Sequence, residues 1–179
     1  MRFIISFFIF MALSMPALAG PEAFHAGTAI PEYGKIADVK SDLPVPANAI
    51  FKVRFDVAKG GKVGQVNRQL ETVARFINMH VAAGMSEDNI QLAVVLHGQG
   101  AVDATRDTYY GTRHEHAQNT NAALIKALVA HKVRFYVCGQ TAAYYGIANE
   151  DLLPGVNMAL SALTAHAVLN NEGYALNPF

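Results

Sequence analysis

The chain is 179 residues long, 52% hydrophobic and 16% charged, with 14 Lys and Arg against 14 Asp and Glu. That balance, with no block of basic residues, excludes an electrostatic footprint for nucleic acid or an acidic membrane surface, and the length suits one domain rather than two. A single cysteine, Cys138, excludes an internal disulfide, so the thiol is buried and inert, paired between chains, or reactive.

Residues 1–19, MRFIISFFIFMALSMPALA, combine Arg2, an apolar run from Phe3 to Leu13, and small residues at Ala17 and Ala19. This is the pattern of a secretory signal peptide cut after Ala19. The apolar run falls short of the roughly 20 residues that a spanning helix needs, and Pro16 interrupts its end. The expected mature protein starts at Gly20, has no membrane association and resides in the periplasm. Residues 20–48 carry Pro21, Pro31, Pro44 and Pro46 without sustained periodicity and read as an extended arm. Phe24, Ile30 and Tyr33 give this arm apolar side chains with which to find a groove. The rest, 49–179, is expected to form the folded domain.

AIFKVRFDVA, residues 49–58, alternates Phe51, Val53, Phe55 and Val57 with Lys52, Arg54 and Asp56, the pattern of a strand near a sheet edge with one wet face. From Val66 the set Val66, Leu70, Val73, Ile77 and Val81 recurs at helical spacing, with Gly84 as a stop. IQLAVVLHG, residues 90–98, is nearly continuous in apolar residues, as expected for a strand covered on both faces. A polar stretch follows, then Ala122, Ile125, Leu128 and Val129 mark a second amphipathic helix, and KVRFYVC, residues 132–138, a third strand. GVNMAL predicts a fourth strand, Ser161 caps a helix running to about Asn171 with Gly173 as its stop, and YALNPF predicts a short last strand. Alternating strands and helices imply an α/β fold: a three-layer sandwich around a mostly parallel sheet.

In such a sheet, ligands and chemistry collect beyond the carboxyl ends of the strands, which singles out three loops. KGGKVG, residues 59–64, could form an anion-binding nest, but it matches neither phosphate-binding glycine pattern and is better read as a flexible turn. HGQGAVDATRDTYYGTRHEH, residues 97–116, concentrates imidazoles, carboxylates, tyrosines and arginines, and Gly98, Gly100 and Gly111 discourage a helix there. His114 and His116 at a spacing of two, even with His97, make a weak metal signal, and no metal is expected. His97 closes an apolar strand, so the sheet sets its position; it is either a site residue or a hydrogen-bonded structural histidine. Cys138 ends the third strand, Gly139 lets the backbone turn, and a short helical segment follows whose N-terminus favours thiolate over thiol. The alternative is a buried apolar cysteine.

VVLHGQG at 94–100, FYVCGQTAAYYGI at 135–147, DLLPGV at 151–156 and ALSALTAHAVLNNEGYAL at 159–176 resemble the DsrE/DsrF-like family over roughly residues 49–179. The signal peptide and proline-rich arm make the chain similar to that family's exported branch. The resemblance implies a compact α/β sandwich and a sulfur carrier or sulfurtransferase-like role. Sulfur is then held as a persulfide on Cys138, in a segment that ends at Gly146 and Ile147. It also implies a sulfur donor or acceptor as partner, protein or small molecule, and assembly as a homotrimer or hexamer. In this reading the N–H groups of Gly139 and Gln140 stabilise the anionic sulfur, His97 is the base or charge partner, and no cofactor is required. A competing reading is a non-catalytic module, in which the loop from His97 to His116, with Gly98 and His114, joins Tyr144 to line a small-ligand pocket. In that case Cys138 only packs the pocket wall. A third is a structural subunit of a mixed oligomer.

Overall fold

The computed structural model describes residues 20–46 and 48–177, so the expected signal peptide and the last two residues of the expected final strand lie outside it. In chain order the elements are β1 (Phe51–Val57), α1 (Arg68–Ala82), β2 (Ile90–Leu96), α2 (Asp107–Arg113), α3 (Asn121–Ala130), β3 (Arg134–Cys138), α4 (Gly139–Tyr145), β4 (Val156–Ala159), α5 (Ala162–Asn171) and β5 (Ala175–Asn177). The five strands form one sheet in the order β4-β3-β2-β1-β5, and every pairing is parallel.

Connection handedness decides which face each helix covers. Steps from β1 to β4 all move the same way across the sheet, so right-handed crossovers place their helices on one face. The return from β4 to β5 moves the opposite way, and the same handedness puts α5 on the other. Strand alternation fills the two interfaces accordingly. Phe55, Val57, Leu92, Val94, Leu96, Phe135 and Val137 point into the larger core with Leu70, Val73, Ile77, Leu124 and Leu128. Ala93, Val95 and Tyr136 point the other way, to Ala165 and Leu169 of α5. Two helix starts are capped: Asn67 accepts from Gln69 N at 2.9 Å, and Ser161, the cap expected from sequence, accepts from Thr164 N at 3.0 Å.

Three expectations are corrected. The polar face of β1 is not wet, because α5 and the turn after it cover it: Arg54 is 8% exposed and donates to the Tyr174 carbonyl and to Asn170 Oδ1. The segment after His97 is not an open loop; it holds a 3-10 turn over Gly98–Ala104 and then α2, with Gly111 inside the helix. Its backbone is satisfied from within the fold, since Asn119 donates to the carbonyls of Asp103 and Thr105 while Asp107 accepts from Asn119 N. KGGKVG is likewise pinned rather than flexible, because Gly61 N and Asn67 Nδ2 both donate to the buried Asp103 at 2.7 Å. Burial holds that carboxyl above its ordinary pKa against these two donors.

The proline-rich arm does find a groove. Ile30 is buried in the larger core and Tyr33 packs against it, while Phe24 stays exposed. The anchor is Asn78 of α1, which is fully buried, accepts from Ile30 N and donates to the carbonyls of Ile30, Tyr33 and Gly34.

Candidate functional site

Period-two alternation and parallel register bring three side chains from three adjacent strands to one corner. Leu96 pairs with Val137, so the next pair beyond the strand ends is His97 and Cys138; Asp56 pairs with Val95 on the other side. By alternation all three lie on the face that α5 covers. That helix adds His166, one turn beyond Ala162. Asp56, His97, Cys138, Gln140, Thr141, Ser161 and His166 line a cleft of about 470 Å³, whose mouth carries Leu163 and Leu176.

Cys138 is 6% exposed, at the junction of β3 and α4. Burial acts first on its thiol and pushes the pKa up. The polar influence of the Thr141 hydroxyl and of the N–H groups of Thr141, Ala162 and Gln140 outweighs that effect, and the net shift is below the ordinary value. Two helix starts, those of α4 and α5, thus converge on one atom. Gly139 makes the convergence possible: a Cβ there would stand 2.5 Å from the Ala159 carbonyl oxygen and 3.0 Å from that of Leu160. Gly98 has φ +49° and donates its N–H to Thr141 Oγ1 at 3.3 Å, which leaves the Thr141 hydrogen free for the sulfur. Gln140 spends its side chain on the Leu160 carbonyl at 3.3 Å, so toward Cys138 it contributes its backbone.

Facing the sulfur is a carboxylate shared by two imidazoles. His166 Nε2 lies 2.8 Å from Asp56 Oδ1, and His97 Nε2 lies 3.1 and 3.2 Å from the two carboxylate oxygens. Burial raises the Asp56 pKa, but the hydrogen bonds from His166 and His97, with their charge, outweigh it and hold the carboxyl below its ordinary value. His97 is therefore both of the things expected of it: it is hydrogen-bonded, and it lines the cleft.

Five of the residues singled out from sequence, Cys138, His97, Gly98, Gly139 and Gln140, converge here. Two do not. Tyr144 is 84% exposed, with its ring against Tyr145, and His114 stacks on Tyr110 beside a separate cavity of about 220 Å³ that includes Asp103 and Arg113. Only His97 of the His97–His116 segment lines the Cys138 cleft, so that segment and Tyr144 do not form one pocket with the cysteine. Among the described residues no cluster of His, Cys, Asp and Glu is arranged to hold a metal ion. Asp56 and His166 escaped sequence reasoning. Asp56 lies next to the end of a strand, in the row that was read as wet, and His166 reaches the corner only because α5 packs on that face of the sheet. The available signal was a carboxylate at the carboxyl end of a parallel strand.

Comparison with known proteins agrees with this architecture. No functionally curated protein matches the chain. Among solved structures, a protein of unknown function from Methanobacterium thermoautotrophicum shares the fold, with a TM-score of 0.52 at 21% identity, 72% of this chain and 99% of that one being covered. The ychN protein from E. coli has a TM-score of 0.48 at 19% identity, with 72% of this chain and all of that one covered. A model of the DsrE/DsrF-like family matches residues 56–178, a span that begins at the shared carboxylate and takes in His97, Cys138 and His166. Most of the chain, including the whole cleft, lies within that match, and the chain belongs to the DsrE/DsrF-like family.

Proposed function

We propose that the protein is a periplasmic sulfur carrier that holds sulfane sulfur as a persulfide on Cys138 and passes it to an acceptor. One observation carries the reading: the starts of α4 and α5 and the Thr141 hydroxyl converge around Cys138 beside an open cleft and hold its thiol below the ordinary pKa. Donors of this kind stabilise an anionic sulfur, whether thiolate or persulfide, and so favour the nucleophile and the loaded state alike. A cysteine that merely packed a wall would have no use for them. The carrier acts after export, in the form that starts at Gly20.

The deciding experiment is a mass spectrum of the mature protein purified without reductant and then treated with a persulfide donor. One added sulfur mass on the wild type, lost on reduction and lacking in Cys138→Ser, is expected. A wild type that takes up no sulfur while its thiol remains free would remove the carrier reading. N-terminal sequencing of the exported protein tests the location, with Gly20 as the expected first residue.

A further inference from the structure

We propose, on the strength of the persulfide reading above, that Asp56 and His166 are positioning residues that hold His97 as the acid for the thiol released when Cys138 takes sulfur from its donor. A carboxylate only accepts, so each imidazole must present an Nε2 hydrogen to Asp56. This leaves Nδ1 as the exchangeable position on both rings, and the two rings differ there. His166 Nδ1 is buried with no hydrogen-bond partner, whereas His97 Nδ1 is not. A hydrogen on His166 Nδ1 would be a buried donor with nothing to bond, so that nitrogen offers no outlet to the cleft and His166 serves to fix Asp56. The His97 side chain is 34% exposed against 22% for His166, and it opens on the cleft. Asp56 holds it in a fixed tautomer and orientation.

Cys138 does not need this proton exchanger, because the polar groups of Thr141, Gln140 and Ala162 already favour its thiolate. What does need a proton is the leaving group. The Cys138 thiolate attacks the outer sulfur of a donor R–S–SH; the new Sγ–S bond forms from the thiolate pair, and the donor S–S bond breaks with its electrons going to the inner sulfur. R–S⁻ takes the Nδ1 proton of the His97 imidazolium and departs as R–SH, leaving Cys138 as S–SH and His97 neutral. No external oxidant or reductant enters, and the charges on the two sides are equal. An alkyl thiol, with a pKa of about 8.5, leaves poorly as the anion, so this proton matters.

The test compares two probes on the mature protein. An alkyl persulfide has a leaving thiol that needs the proton; methyl methanethiosulfonate loses a sulfinate that does not. Asp56→Asn, His166→Leu and His97→Gln are expected to slow persulfide loading by roughly 10- to 100-fold. Thiosulfonate modification should stay within about twofold of wild type in all three, which also certifies that the fold and the thiolate are intact. His166→Gln, which keeps an N–H for Asp56, should recover most of the loading rate. Equal slowing with both probes, or unchanged persulfide loading in all three variants, would overturn the assignment. A wild type that reacts with the thiosulfonate but takes no sulfur from the persulfide would overturn the carrier reading itself, and the assignment with it.

Discussion

At Cys138 the balance of burial against hydrogen bonding can be measured directly. Because the donors win, the rate of alkylation by iodoacetamide should titrate with a midpoint below the free-cysteine value of about 8.5. Thr141→Ala removes the hydroxyl donor, and a hydrogen bond to a charged group corresponds to about one pH unit or more; the midpoint should rise by that much, and Thr141→Ser should restore it. His97→Ala should leave the midpoint where it is, since the ring is engaged with Asp56 rather than with the sulfur. Asp56 gives a second titration. Its folded pKa is depressed, so its contribution to stability is present above the unfolded value of about 4 and is lost as the pH falls through the lower folded value. The melting temperature of Asp56→Asn should therefore fall short of wild type at pH 7, begin to approach it near about pH 4 and converge only below the depressed folded pKa.

Among the elements, the junction of β3 and α4 and the arm-to-helix anchor are the two places where one substitution should disturb a whole segment. A Cβ at Gly139 meets backbone oxygens of the β4–α5 link, and backbone cannot step aside as a flexible side chain can. Gly139→Ala is expected to destabilise by about 1–3 kcal/mol in urea and to slow Cys138 alkylation, because both helix starts that hold the sulfur would be pushed apart. Asn78→Ala strands one N–H and three carbonyls of the arm, most of them buried. A loss of about 2–4 kcal/mol is expected. The arm should also become the first site of limited proteolysis. Arm cleavage no faster than in wild type would show that the apolar contact of Ile30 suffices without the amide.

For the molecule as a whole, the rim of the cleft carries the argument for assembly. Leu163 of α5 is 83% exposed and Leu176 of β5 51% at the cleft, while Leu160, 72% exposed just before α5, and Val168 of α5 line the neighbouring pocket. Side chains of this kind around a reactive centre suit an interface between copies. Light scattering on the mature protein is expected to give a trimer or larger, and Leu163→Glu to give smaller species. A wild-type monomer at micromolar concentration would count against assembly through this rim.

Period and punctuation were enough to read the order of the strands and of every helix but α2 from sequence, because those elements declare themselves locally: two-residue alternation in β1, helical spacing in α1, an unbroken apolar run in β2, Ser161 at the start of α5. They were also enough to place Cys138 and His97 at strand ends, where a parallel sheet collects its chemistry. Local pattern could not show that the segment before α2 would be held by the distant Asn119, nor that the polar row of β1 would be roofed over. Above all it could not pair Asp56 with His166, which are 110 positions apart. The fixed handedness of the crossovers makes the returning helix change faces, and only then does its second turn descend on the ends of β1, β2 and β3. The identity of each side chain was written in the sequence; which of them share one carboxylate was decided by the direction in which the chain came back.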